Sequence, residues 1–250
     1  MSKSPQVVVV TGGGTGIGRA IAERFATDGA AVVIVGRRSE VLAETVAALG
    51  PTSLSVSADV SRPDDVDALA ATLSQRFGRV DVLVNNAGYL LPVTLADRAN
   101  GAAALTEQLG VNLIGAYQVT AALNHLLTRP GGRVINISSI AAYTGGSGAG
   151  AAQGYAAAKA GLIGLTYGMA RELAPQGVTV NAVAPGFVAD TGFTEDFPPE
   201  RVQWLVGQTL TGRAGETADV AAAVSYLASP DASWVCGQVL HVNGGTLFGR

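Results

Sequence analysis

The stretch Val7-Val8-Val9-Val10-Thr11-Gly12-Gly13-Gly14-Thr15-Gly16-Ile17-Gly18 decides the fold. Four consecutive valines suit a strand buried on both faces, as in a parallel sheet covered by helices. The glycines that follow permit a tight turn, and the helix expected over Gly16–Asp28 carries Ile21 and Phe25 on one side. A strand, a glycine turn and a helix in that order meet the structural context of a dinucleotide fingerprint. Glycine lets the backbone approach a pyrophosphate, whose charge the helix N-terminus favours. Gly12, Gly14, Thr15, Gly16, Ile17 and Gly18 are therefore candidate cofactor contacts, although the first glycine gap is one residue wider than the common fingerprint.

Outward from this turn the same alternation repeats. Further strands are expected at Ala31–Val35, Ser53–Ala58, Val82–Asn85, Arg133–Ser138, Val178–Ala184 and Gln238–Val242. Helices are expected at Glu40–Leu49, Asp64–Phe77, Leu113–Leu127, Tyr155–Ala174 and Ala218–Ala228. Gly29 and Gly78 follow helical stretches and suit left-handed helix ends, and Ser61 before Pro63 resembles a helix start. Repeated βα units over residues 1–250, with no linker or repeat, read as one α/β domain of the doubly wound Rossmann type. The irregular stretches Tyr89–Gly101, Gly145–Gly154 and Gly186–Arg213 all follow strand C-terminal ends, where ligands bind in open α/β sheets.

Composition narrows the partners. A formal charge of -3 offers no basic face for nucleic acid or an anionic membrane. Cys236 stands alone, so no internal disulfide is expected, and the N-terminal apolar run is too short for a signal peptide or a span. A cytoplasmic protein with a small-molecule partner is the expectation. His125 and His241 are the only histidines and lack ligand spacing, so no metal site is expected. No Gly-x-Ser-x-Gly elbow is present, which argues against a hydrolase.

The second strand ends at Gly36-Arg37-Arg38, where a carboxylate would hold the adenosine ribose hydroxyls and repel a 2′-phosphate. Two guanidinium groups favour phosphate instead, so NADP is expected over NAD. Asp59, with Val60, follows the third strand and suits either an adenine amino group or a turn. Asn85-Asn86-Ala87-Gly88 closes the fourth strand; Asn85, Ala87 and Gly88 would let a cofactor lie close to the backbone.

Tyr155 and Lys159 stand one helical turn apart in an alanine-rich stretch. A nearby ammonium lowers a tyrosine pKa, which suits proton exchange, and the same lysine can hydrogen-bond a ribose. Ser139 follows the fifth strand, where a hydroxyl can bind a substrate oxygen, and Asn112 can hold a water linking Lys159 to solvent. Each residue alone has an ordinary structural reading; together they gather at one sheet edge. A substrate rim is expected from Leu90, Leu91, Tyr143, Phe187, Phe193, Phe197 and Trp204.

With these motifs the chain resembles the short-chain dehydrogenase/reductase family over essentially its full length, in its NADP-preferring ketone and 3-oxoacyl reductase-like branch. The matches are Thr11-Gly12-x-x-x-Gly16-x-Gly18, Asp59-Val60, Asn85-Asn86-Ala87-Gly88, Asn112, Ser139, Tyr155-x-x-x-Lys159 and Pro185-Gly186. The resemblance implies a seven-stranded parallel sheet, a Ser–Tyr–Lys–Asn tetrad and a homotetramer. It also implies that a lid at about 186–213 closes over nicotinamide and substrate, with Pro185, Gly186, Val188 and Thr191 near the cofactor. Hydride transfer between NADPH and a ketone follows, on a simple carbonyl compound or a 3-oxoacyl thioester. A cofactor-sensing protein without chemistry, or an epimerase or dehydratase that retains its nicotinamide, are the rivals. Two departures stand out: the Ser139–Tyr155 interval is lengthened through Gly145–Gly150, and Asp190 stands where the family commonly has Thr.

Overall fold

A computed structural model describes residues 5–146, 152–189 and 191–248. Strands β1 (Val7–Thr11), β2 (Ala31–Gly36), β3 (Leu54–Ser57), β4 (Val82–Asn85), β5 (Arg133–Ile137), β6 (Thr179–Pro185) and β7 (Val239–Val242) form one sheet. Its order is β3-β2-β1-β4-β5-β6-β7 with every pair parallel. The valine runs behave as their composition demands. Successive side chains of a strand point to opposite faces, and here both faces are covered. Val9, Val33, Leu83, Val134 and Val180 face one layer, built on Leu69, Leu73, Leu123 and Leu173. Val8, Val10, Ile34, Ile135 and Val183 face the other, built on Ile21, Phe25, Val224 and Leu227.

The helices of the first layer are α3 (Pro63–Arg76), α5 (Gly115–Leu123) and α7 (Gln153–Leu173); those of the second are α1 (Gly16–Thr27), α2 (Ser39–Leu49) and α9 (Thr217–Ala228). Each begins and ends within a few residues of its sequence expectation. Gly29 and Gly78 take φ values of 86° and 67° as they leave α1 and α3, a conformation that glycine adopts without steric cost. Ser61 does not cap α3. Arg62 occupies the cap position with Pro63 behind it, while the Ser61 hydroxyl donates to Asp59 Oδ1 at 2.7 Å.

Three helical segments were not legible. The stretch after β4 contains α4 (Arg98–Leu109), which runs through a π-helical turn at Gly110–Ile114 into α5. The helix expected to start at Leu113 is thus the second half of a longer one. A short α6 (Ala141–Thr144) follows β5, and α8 (Pro199–Gly207) lies inside the stretch read as irregular. α4 and α8 each bury little: Gly101 and Gln108 in the first, Leu205 in the second. Such a face leaves a faint periodic signal. The lengthened Gly145–Gly150 interval and Asp190 fall wholly or partly outside the described residues.

The strand order reverses between β1 and β4, because β2 and β3 build outward on one side and β4 onward on the other. A crevice at the carboxyl ends of β1 and β4 results. Beneath it a buried polar ladder crosses the sheet. Asn85 Nδ2 donates to Thr120 Oγ1 and to Asn136 Oδ1, both at 2.9 Å, and Asn136 Nδ2 donates to Thr166 Oγ1 at 2.9 Å. These bonds tie β4 and β5 to α5 and α7, which carry the site. Asn136→Ala would strand buried donors and acceptors and is expected to lower stability by about 2–3 kcal/mol. Urea denaturation followed by far-ultraviolet circular dichroism checks this; a midpoint within error of wild type would show that the ladder is energetically idle.

Candidate functional site

The reversal crevice is held from both sides. Asn86 Nδ2 donates to the carbonyls of Thr11 (3.0 Å) and Gly12 (3.2 Å), and Thr11 Oγ1 accepts from the backbone amides of Asn86 and Ala87, each at 3.0 Å. The glycine turn packs against this clamp. A Cβ built on Gly18 would lie 2.2 Å from Gly12 O and 2.4 Å from Asn86 Nδ2; Gly12 and Gly16 also take positive φ, 64° and 52°. α1 opens with Thr15 in an extended conformation, without a side-chain cap bond and without an acid in its first turn. The first amides of a helix lack intrahelical partners and carry its positive end. An uncapped helix start behind a side-chain-free turn is an anion cradle, and a dinucleotide pyrophosphate fits it.

Arg37 and Arg38 are exposed beyond β2, Arg38 as the cap residue of α2. The Arg37 guanidinium lies 5.3 Å above the Tyr89 ring. Asp59 Oδ1 accepts from Ser61 N (2.9 Å) and Ser61 Oγ (2.7 Å). Burial pushes the Asp59 carboxyl up, but the Ser61 hydrogen bonds and the charges of Arg37 and Arg62 outweigh it, so the group sits below its ordinary value. Val60 is buried against Gly115 and offers only its backbone.

The side chain of Asn85 does not face the crevice, so only its backbone is open to a cofactor there. Its side chain is buried in the polar ladder toward α5, so it supports the crevice from below. Ala87 and Gly88 lie at the crevice, where a Cβ built on Gly12 would come 3.0 Å from Ala87 Cα. A Cβ on Gly88 would sit 2.2 Å from Asn112 Oδ1 and 3.4 Å from Lys159 Nζ, so these three residues converge.

Asn112 lies in the π-helical turn and is almost wholly buried. Such turns insert one residue into a helix and recur at functional sites. Its amide is committed to the backbone of Tyr89: Oδ1 accepts from Tyr89 N at 3.0 Å and Nδ2 donates to Tyr89 O at 2.9 Å. The side chain is therefore a clamp on the β4–α4 connection.

Tyr155 and Lys159 share one face of α7, with Lys159 Nζ 5.6 Å from the Tyr155 ring centre. Lys159 Nζ donates to Ile137 O at 2.7 Å, and Ser138 Oγ donates to Lys159 O at 2.9 Å, which fixes α7 to the end of β5. Ser139, one residue on, accepts from Ala141 N at 3.1 Å through its hydroxyl, which also bonds Tyr155. Burial pushes Tyr155 up to about 12, opposed by the Ser139 hydrogen bond. Burial pushes Lys159 down to about 8. The expectation that the ammonium lowers the tyrosine pKa is thus not met in this geometry, since desolvation dominates both groups.

Beyond β6, Gly186 packs so closely on Asn243 that an added Cβ would come within 2.8 Å of its side chain. Val188 pairs with Gly215, and its carbonyl accepts from Thr194 Oγ1 at 3.0 Å. Buried Thr191 lies 3.5 Å from a Cβ built on Gly16, so this segment docks on the glycine turn. From it Phe193 reaches to 5.4 Å from the Tyr155 ring, and Phe187 stacks on Phe197 at 6.3 Å. Of the expected rim, Tyr143 instead leans on His241, their ring centres 5.0 Å apart. Among the described residues, no group of three or more His, Cys, Asp or Glu is placed to hold a metal ion.

The residues that sequence reasoning missed are Thr11, Asn86, Tyr89 and Thr194. Asn86 stood in a quoted motif without a role, because its bonds to β1 exist only once β4 lies beside it.

A doubly wound sheet with a glycine cradle at its reversal point and a Ser–Tyr–Lys group beside it defines a dinucleotide-binding class of protein. The comparisons specify it further. Residues 12–246 match the family described as enoyl-(acyl carrier protein) reductase. The 3-oxoacyl-[acyl-carrier-protein] reductase FabG of Vibrio cholerae is 38% identical over 251 residues, covering 98% of both chains. The (2S)-[(R)-hydroxy(phenyl)methyl]succinyl-CoA dehydrogenase subunit BbsD of Thauera aromatica is 38% identical over 249 residues, covering 96% of both. Among solved structures, a short-chain dehydrogenase/reductase (glucose/ribitol dehydrogenase) from Brucella melitensis superposes with a TM-score of 0.91 at 32% identity, covering 98% of this chain and 97% of that one. The chain belongs to the short-chain dehydrogenase/reductase family and is an oxidoreductase of that family.

The depressed Lys159 pKa gives a stability prediction. A lysine whose folded pKa lies near 8, against 10.5 in the unfolded chain, makes folding cost most below pH 8. The cost fades as pH rises from 8 to 10.5, because only the unfolded state still binds the proton. Lys159→Met is expected to be more stable than wild type at pH 7, by on the order of 1–2 kcal/mol, with the gap closing toward pH 10. Denaturant titrations at several pH values measure it; a gap that does not shrink would refute a desolvated lysine.

Proposed function

We propose that the protein is an NADPH-dependent carbonyl reductase, able to run in reverse as a secondary-alcohol dehydrogenase. The observation that carries this reading is the convergence of Ser139, Tyr155 and Lys159 beside the glycine cradle, at the carboxyl edge of β5. A dihydronicotinamide bound in this crevice would supply the hydride for the carbonyl carbon of a ketone. Ser139 holds the carbonyl oxygen by hydrogen bonding. Tyr155 gives its phenolic proton to that oxygen as the alkoxide forms, which balances the reduction to an alcohol. Lys159 sits where its ammonium can return a proton toward Tyr155 and hold a ribose hydroxyl, and Asn112, fixed to the Tyr89 backbone, stands beside Gly88 and Lys159 where it can support a proton relay. Gly12 to Gly18 receive the pyrophosphate, Arg37 and Arg38 favour a 2′-phosphate, and Asp59 with Val60 borders the adenine.

The segment 186–213 acts as a lid over the substrate, with Val188 and Thr191 on its cofactor side. The clustering of Phe187, Phe193 and Phe197 supports this, as does the seating of Thr191 on the glycine turn. An acyl-thioester ketone is the favoured substrate class, since relatives are named for acyl-carrier-protein and CoA compounds. A soluble, cytoplasmic location agrees with this reading; among the described residues no helix is long and apolar enough to cross a membrane.

A homotetramer is supported by edge strand β7, whose residues are only half-buried, and by the nearly fully exposed Trp234 just before it. Sedimentation velocity is expected to show a tetramer, and a monomer at micromolar concentration would remove the assembly from this reading.

The central test follows NADPH absorbance against a panel of simple ketones and 3-oxoacyl thioesters, with NADH in parallel. Tyr155→Phe is expected to lower kcat by at least a thousandfold while leaving the NADPH dissociation constant within about twofold. Retained turnover in that variant would sink the proton-donor assignment. Binding of NADPH without consumption by any carbonyl would favour a cofactor sensor.

A further inference from the structure

We propose that Tyr89 is a positioning residue for cofactor discrimination: its ring holds the Arg37 guanidinium over the adenosine end of the site. The inference rests on the NADPH reading above and deepens it. Arg37 is an exposed side chain at the end of β2, and among the described residues it makes no direct ion pair. A long free arginine would sample many rotamers, and ordering it on a ligand would cost affinity. Here the guanidinium lies 5.3 Å above the Tyr89 ring, within the range where the ring's electrons attract a cation. Asp59 adds attraction from its own side without a direct contact, its carboxylate being taken up by Ser61.

The ring is itself immobilised from two directions. Its hydroxyl donates to Glu107 Oε1 at 2.7 Å, which ties it to α4. Its backbone amide and carbonyl are both clamped by the Asn112 side chain. Tyr89 therefore joins the two ends of the site, with Asn112 and Lys159 at one and Arg37 at the other. The Asn112 clamp uses only the Tyr89 backbone, so a side-chain substitution leaves it in place. The effect of removing the ring can then be assigned to Arg37.

The test is binding, independent of any substrate. Dissociation constants of NADPH and NADH are measured by dihydronicotinamide fluorescence titration for wild type, Tyr89→Leu, Tyr89→Phe, Arg37→Ala and the double variant Arg37→Ala/Tyr89→Leu. Thermal melts confirm that each variant is folded. Tyr89→Leu is expected to weaken NADPH roughly two- to fivefold, the range of one exposed cation–π contact, and to leave NADH unchanged. Tyr89→Phe keeps the ring and should keep the NADPH:NADH ratio, and in the Arg37→Ala background the leucine change should have no further effect. Equal weakening of both cofactors, or an unchanged ratio in Tyr89→Leu, overturns the inference. If wild type prefers NADPH in those cases, the NADPH reading survives its loss. If wild type holds NADH as tightly as NADPH, the cofactor preference fails and this inference falls with it.

Discussion

The rest of the structure depends on a parallel sheet buried on both faces. Apolar layers above and below β1, β4 and β5 make an unpaired polar group along the strands costly, and few side-chain atoms there, Asn85 Oδ1 and Arg133 Nε among them, lack a partner. Polar side chains therefore mostly either join the hydrogen-bonded ladder, as Asn136 and Thr166 do, or collect at the strand ends. The carboxyl edge at the β1–β4 reversal is the one place where two neighbouring connections part in opposite directions. Thr11, Asn86, Ser139 and Lys159 all occur at or beside that edge. The chemistry sits there because the core excludes it elsewhere.

The same constraint shapes the electrostatics. Tyr155 and Lys159 stand between α7 and the end of β5, where water is displaced, and desolvation moves their pKa values apart instead of together. Burial thus makes Tyr155 a weaker acid and Lys159 more readily deprotonated than either is in water. Rigid anchors surround the pair: Ser138 to the Lys159 carbonyl, Lys159 to the Ile137 carbonyl, and Asn112 to Tyr89. The segment carrying Phe193 is instead held by short threonine-centred turns, as when Thr194 Oγ1 reaches the Val188 carbonyl.

Much of this was legible in the sequence, for identifiable reasons. Val7–Val10 and its successors announced two-sided burial, and the glycines from Gly12 to Gly18 announced a backbone that must come close to its neighbours. Periodicity failed for α4 and α8, because helices that bury a single large side chain or none carry little amphipathic pattern. It also missed that α5 continues α4, because a π-helical turn joins the two. The direction of the Asn85 side chain was not legible, because a residue at a strand end points either to the crevice or into the layer below, and motif spacing does not say which.

The sequence by itself determined the βα order, the parallel sheet and the residue types at its ligand edge, because strand burial, glycine turns and helical spacing are local properties. The tertiary structure alone decided what those residues touch. Asn86 clamps the glycine turn, Lys159 bonds the Ile137 carbonyl, and Arg37 settles on Tyr89, each through partners more than twenty residues away. The same packing set the directions of the Tyr155 and Lys159 shifts, since desolvation arises from everything packed around a group and not from its neighbours along the chain.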